Sequence, residues 1–255
     1  MTVPSLLAVF AHPDDESLHA GGALARHAAA GARTGVVTAT WAEGTPRAAE
    51  LAEALRILGA GTPRLLGYGD ARAPQSAPGA VRFLDAPIDE SVGRLVAHLR
   101  EFRPQIVVTH DAYGGLTGHP DHVHTHRMTM LAVQAAGLER LYPDAGDPWQ
   151  PSALYSASHP HSAIRAWGGH VAATGKAMHS VPDERITATV DVGPWLEQKV
   201  AAVLAHRTEV ERGAVPALIA SLPAADRHRL LSTEWYIRHD PVSTAATQTE
   251  LIAGT

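Results

Sequence analysis

The chain has no cysteine. That excludes a disulfide framework, a thiolate nucleophile and every cysteine-ligated zinc or iron–sulfur site. Phenylalanine is scarce, 3 residues against 16 histidines, so imidazole and carboxylate are the transition-metal ligands this chain owns. Positive charge is not in excess: 21 Lys and Arg stand against 26 Asp and Glu, a net charge of −5. This argues against a nucleic-acid partner and against a basic membrane-binding surface. No run approaches the ~18 apolar residues of a membrane span. The first residues lack a basic segment, and their apolar run breaks at His12, Pro13, Asp14 and Asp15. The expectation is a cytoplasmic protein.

What is present is a chain of 255 residues, 45% hydrophobic and 18% charged, a composition of compact rather than disordered proteins. No repeat or interdomain linker interrupts it, so we expect one domain over 1–255, with a loosely held tail from about 242. Apolar runs at Ser5–Phe10, Gly35–Thr40 and Gln105–Thr109 read as buried strands, with weaker candidates at Arg64–Gly67, Ala153–Ser156 and Ile186–Val192. Helical patterns fall between them at Leu18–Ala30, Arg47–Leu58 and Asp89–Phe102, and again at Pro194–Arg212. Strands this apolar, alternating with helices, predict an α/β fold of Rossmann-like type: a mainly parallel sheet with helices on both faces. Its ligand belongs beyond the carboxyl ends of the strands.

Two motifs occupy such strand exits. His12-Pro13-Asp14-Asp15-Glu16 follows the first strand, and His119-Pro120-Asp121-His122 follows the strand at Gln105–Thr109. In each, proline suits the first helical position and an acid falls in the first turn, so each is expected to open a helix. A catalytic zinc takes about three protein ligands and keeps one position for water. His12, Asp14, Asp15, His119, Asp121 and His122 offer six candidates. The surplus suits a hydrolytic site, which also needs a base, an acid and a carboxylate that orients a histidine. Spacing alone does not choose His122 over His119 as ligand.

At these motifs the sequence resembles the LmbE-like (PIG-L) metal-dependent N-deacetylases, and most of all their actinobacterial mycothiol-pathway branch. The likeness extends through Arg47 to Gly59, the Gly67-Tyr68-Gly69-Asp70 loop, Phe102-Arg103-Pro104 and His122 to His126. The resemblance implies that His12, Asp15 and His122 bind the metal, that Asp14 is the general base, and that His119 is the electrophilic or acid partner. It further implies that Asp121 orients His119 and that Arg47 and Asp70 hold sugar hydroxyls. The sequence departs from that branch in three places. The loop Gly114–Gly118 is one residue longer and lacks the tyrosine that precedes the second motif, although Tyr113 is near. The insertion ahead of Arg47 is cut to Glu43–Pro46, and Glu209 stands where the family carries glutamine.

The expected function is therefore hydrolysis of the N-acetyl or other N-acyl group of a small amino sugar, with Zn²⁺, Fe²⁺ or another divalent ion as cofactor. A mycothiol S-conjugate amidase and an antibiotic-pathway deacetylase are alternatives inside the class. Outside it stand a non-haem Fe(II) oxygenase, since two His and one carboxylate also make its facial triad, and a non-catalytic sugar-binding protein. Nothing in the sequence opposes a homo-oligomer. His159, His161, His170 and His179 read as surface residues, whereas His206, on a predicted helix, is a candidate to face the site.

Overall fold

The computed structural model describes residues 3–172 and 178–241; the tail expected from 242 lies outside the described residues. Seven strands form one mixed sheet: β1 (Leu6–Phe10), β2 (Thr34–Thr40), β3 (Arg64–Tyr68), β4 (Ile106–His110), β5 (Ala153–Ala157), β6 (Ala188–Asp191) and β7 (Thr233–His239). Their order is β3-β2-β1-β4-β5-β7-β6. The first five are parallel, and β7 runs antiparallel to both β5 and β6. β1 and β2 are buried along their whole length, which is why their sequences are continuously apolar rather than alternating.

Side chains of β1 point to opposite faces in turn. Leu7 and Val9 enter a core with Leu95, Leu99, Met128 and Val133, supplied by α3 (Ile88–Phe102) and α4 (Pro120–Ala136). Leu6, Ala8 and Phe10 enter another with Leu24, Leu51 and Leu55, from α1 (Asp15–Ala29) and α2 (Pro46–Leu58). The chemistry of α2 is local: Thr45 accepts the Ala48 N–H at 3.3 Å, Pro46 opens the helix, and Gly59 closes it at φ 71°.

The C-terminal third departs from the expected pattern. It holds α5 (His161–Ala172), α6 (Leu196–Ala205), α7 (Arg207–Glu211), α8 (Val215–Ser221) and α9 (Ala224–Leu231). The helix expected over Pro194–Arg212 is broken at His206 (φ −79°, ψ 66°), where the backbone turns to carry a buried imidazole inward. β7 was not anticipated, because its inward positions are Glu234 and Tyr236 rather than aliphatic residues.

The topology places the site. β1 and β4 are parallel neighbours, with Leu6 opposite Ile106, and successive strands leave them in opposite directions along the sheet. The crevice beyond their carboxyl ends is a topological switch point, and both His-Pro-Asp motifs open into it.

Candidate metal centre and catalytic site

The two motifs use different local geometry. His119 caps α4, with Pro120 at its first position, and its Nδ1 accepts the Asp121 N–H at 3.2 Å. At the first motif the helix starts before the expected Leu18 but not at the proline: Pro13 lies in a turn and α1 begins at Asp15. The residue between them, Asp14, adopts φ 124° and ψ −29°, a backbone state costing about 1–3 kcal/mol for a residue with a side chain. Its surroundings hold it there. The Asp14 N–H donates to Glu16 Oε2 at 3.0 Å, and Arg47 Nη2 donates to Asp14 Oδ1 at 2.9 Å and to the Pro13 carbonyl.

Within the crevice His12, Asp15 and His122 converge. His12 Nδ1 lies 3.0 Å from His122 Nε2 and 3.4 Å from Asp15 Oδ2, and His122 Nε2 lies 3.3 Å from Asp15 Oδ1. Metal–ligand bonds of about 2.0–2.1 Å set tetrahedral vertices about 3.3 Å apart. Asp15 meets His12 through Oδ2 and His122 through Oδ1, so the groups approach one another in pairs at the spacing of two ligands on one ion. Both imidazoles are oriented from behind. His122 Nδ1 donates to the Gly114 carbonyl at 3.0 Å, leaving Nε2 free. Gly114 itself sits at φ 80°, where a Cβ would meet Val123 Cγ2 at 2.8 Å and the His119 carbonyl at 3.0 Å; only glycine fits. His12 Nε2 bonds to Asp121 Oδ2 at 3.1 Å, leaving Nδ1 free.

The cluster is rich in negative charge. Burial alone would lower the pKa of His12, but Asp121, Asp15 and Asp70 more than reverse this and lift it to about 10. Asp15 is likewise held well below the usual carboxylate range: burial opposes this, and the flanking His122 and His110 outweigh it. Among the described residues three overlapping groups, His12 with His119 and His122, Asp15 with His110 and His122, and His12 with Asp70, His119 and Asp121, lie close enough to hold a divalent cation, and imidazoles and carboxylates that demand a positive charge suit one.

Asp121 Oδ2 lies 3.8 Å from His119 Nδ1; its closer partners are His12 Nε2 and the Ala71 N–H, and the Asp121 backbone N–H donates to His119 Nδ1. The reason is the helix start, which turns the side chain of the second residue after the cap toward β1. Tyr113 is 53% exposed and stacks on His179, whereas Leu116 and Thr117 of the same loop line the cavity.

His110 is not singled out by either motif, yet it belongs here. Its Nε2 lies 3.3 Å from Asp15 Oδ2, and its ring stacks on His122 at 4.0 Å. The available signal was its place as the last residue of β4, whose exit lies beside the β1 exit that delivers His12.

Beside the donors, Arg47 bridges Asp14 and Glu209, with Nη1 3.1 Å from Glu209 Oε1 and the guanidinium 4.6 Å from the Trp41 ring. Asp70 Oδ2 lies 3.3 Å from His12 Nε2 while Oδ1 accepts the Arg72 N–H at 2.7 Å. Burial lifts Asp14 to about 7; Arg47 opposes this, and Asp15 and Glu209 add to it. His206 does reach the site. Its Nε2 lies 2.8 Å from Glu16 Oε1, both side chains fully buried, so it braces the glutamate that holds Asp14.

The same pair governs stability. Burial opposes ionisation of both partners, but each stabilises the other's charge: His206 is raised above 6.5 and Glu16 lowered below 4.5. The contribution of His206 is full below pH 6.5 and fades as pH rises through its folded value. That of Glu16 is full above pH 4.5 and fades as pH falls through its own. Both act together between those limits. His206→Ala leaves a buried carboxylate unpaired, at a cost of about 3–5 kcal/mol, and Tm near pH 5.5 drops by roughly 6–20 °C. A loss of less than ~2 °C in thermal unfolding means the pair is not the brace described.

His12, Asp14, Asp15, Arg47, Asp70, His119 and His122 line one cavity of about 790 Å³; Glu16, His110, Asp121 and His206 are not part of its lining. His161 and His179 are exposed as expected, but His159 lines the cavity. The side chain of His170 lies outside the described residues.

Comparison with known proteins agrees with this arrangement. Residues 7–133 match the family model described as PIG-L: GlcNAc-PI de-N-acetylase. A Rhodococcus jostii protein named 1D-myo-inositol 2-acetamido-2-deoxy-alpha-D-glucopyranoside deacetylase is 39% identical over 245 residues, covering 82% of this chain and 83% of that protein. Among solved structures, N,N'-diacetylchitobiose deacetylase from Pyrococcus horikoshii superposes with a TM-score of 0.63 at 18% identity, over 93% of this chain and 84% of its own. A conserved protein from Thermus thermophilus gives 0.62 at 28% identity, over 97% and 100%. The matched span contains both His-Pro-Asp motifs, and the fold that carries them is shared along nearly the whole chain: this protein belongs to the PIG-L de-N-acetylase family.

Proposed function

We propose that the protein hydrolyses the N-acyl group of a small amino sugar, of the kind named for its relatives as a glucosaminyl-inositol, with zinc held by His12, Asp15 and His122. The observation that carries this reading is the approach of His12, His122 and Asp15 to within 3.0–3.4 Å of one another, Asp15 through both of its oxygens, beside the buried, Arg47-held carboxylate of Asp14. A divalent cation bound there acidifies a water and polarises the acyl carbonyl. Asp14 takes the proton of the attacking water, and its pKa of about 7 suits both acceptance and return of that proton. His119 donates a hydrogen bond to the developing oxyanion, since its Nδ1 is occupied as an acceptor and the proton belongs on Nε2. Burial and the neighbouring His12 lower His119 to about 4, so it is neutral at pH 7 and acts as a hydrogen-bond donor. Asp14 is then the group that protonates the departing nitrogen.

Arg47 and Asp70 remain candidates to meet sugar hydroxyls, since both line the cavity with Arg72, Gln75 and Arg212. Each also holds a catalytic group, so replacing either alters rate as well as binding. We place the protein in the cytoplasm; among the described residues no helix is long and apolar enough to cross a membrane. The reading is tested by amine release from a panel of N-acetylated glucosaminides, the inositol-linked one included. Release that chelator abolishes and zinc restores is expected. No amine from any member overturns the reading, and chelator-resistant release overturns the role of the metal.

A further inference from the structure

The chain leaves β2 through a strained residue. Trp41, next after Thr40, adopts φ 72°, a state rare for a bulky side chain that persists only where its surroundings impose it. The exits of β1 and β3 impose it here. The Ala11 carbonyl accepts the N–H and the hydroxyl of Thr40 at 2.9 and 2.7 Å, and the Trp41 N–H donates to the Tyr68 carbonyl at 3.1 Å. The next residue is tied as well, the Ala42 N–H donating to the Ser76 carbonyl at 3.0 Å.

No hydrogen bond of the indole accounts for this placement: among the described residues its Nε1 is buried without a partner. What the ring meets is Arg47, whose guanidinium carbon lies over it, 4.6 Å from its centroid. Both residues line the cavity that holds Asp14.

The polar contacts of Arg47 lie along its edges. Nη2 donates to Asp14 Oδ1 at 2.9 Å and to the Pro13 carbonyl, and Nη1 lies 3.1 Å from Glu209 Oε1. The N–H bonds of a guanidinium all lie in its plane, so these contacts fix it along that plane and resist a tilt out of it least. A ring face supplies the missing restraint. Its quadrupole attracts the cation, most strongly where water is excluded, and Arg47 is buried.

We propose that Trp41 is a positioning residue for the reaction: its ring face holds the Arg47 guanidinium in the plane from which Arg47 fixes the carboxylate of Asp14. The inference rests on the N-deacylase reading above and deepens it.

The test is steady-state kinetics of the zinc-loaded protein on an N-acetylated glucosaminide. Trp41→Leu removes the ring; we expect kcat to fall about tenfold while KM moves less than about threefold. Zinc content stays at the wild-type level. Trp41→Phe keeps a ring face and returns kcat to within about threefold of wild type. A double-mutant cycle gives the readout that a general loss of packing would not move. In an Arg47→Gln background no cation is left to stack, and Trp41→Leu then costs less than about twofold. Should Arg47→Gln fail to fold, the Leu and Phe variants alone decide. A rise in KM with kcat unchanged sets the ring against the sugar and overturns this inference. So does an equal loss of kcat in both backgrounds, a Phe variant as slow as the Leu one, or loss of zinc from Trp41→Leu. Each of these leaves the deacylase reading intact, whereas no turnover by the wild-type protein sinks both.

Discussion

Asp14→Asn is expected to keep its full complement of metal while kcat falls by about 10²–10⁴, the usual worth of a general base. Asparagine preserves the size of the side chain and its reach toward Arg47, so the backbone at φ 124° carries a side chain of the same shape. Backbone strain therefore does not confound the result. The pH profile adds a second readout. A base must be unprotonated to act, so activity falls as pH drops through the pKa of Asp14, about 7 and lower once a cation sits beside it. That acidic limb disappears in the variant. Loss of metal from Asp14→Asn with retention in Asp15→Asn exchanges the two roles and overturns the mechanism.

His122→Ala is expected to abolish metal retention, and with it activity by about 10³-fold or more, because the cation's contribution is several kcal/mol and two remaining donors do not replace three. His110, stacked on the lost ring at 4.0 Å, is fixed by the Ala11 N–H and Asp15 and has no freedom to move in. Metal binding is also linked to protons. His12, raised to about 10, is protonated at neutral pH and must release that proton to ligate. Affinity for zinc in the wild-type protein therefore strengthens with pH, by up to about tenfold per unit below that value. Titration in buffers of different ionisation enthalpy measures the released proton directly. Full zinc occupancy in His122→Ala by elemental analysis means the donor set is misassigned.

Much of this was legible in the residues. Continuous apolar strands announce a sheet buried on both faces, and the structure has one: β1, β2 and β4 lie close to the expected runs, with helices on each side. The two His-Pro-Asp motifs could be assigned to one edge because parallel strands deliver their exits together. The absence of cysteine restricted the donors to imidazole and carboxylate.

Other features depend on contacts between distant parts of the chain, which no local pattern encodes. Spacing left His119 and His122 equivalent as ligands; in the structure His122 Nδ1 faces the Gly114 carbonyl while His119 Nδ1 accepts a capping N–H, and the proposed assignment rests on that difference. Asp121 turned to His12 because the start of α4 aims it across the crevice. His110 and His206 look like any other strand-end and helical histidine until folding sets them against Asp15 and Glu16. β7 was hidden by its own chemistry: Glu234 is tolerable inside a sheet only because Lys199, Tyr236 and two amides of α1 arrive to satisfy it. Periodicity and donor type are properties of neighbouring residues, so the sequence by itself determined the fold class and the kind of chemistry. Which partner each histidine nitrogen meets, what braces Glu16 and what satisfies Glu234 depend on groups as much as 212 residues apart, and only the tertiary structure brings them together.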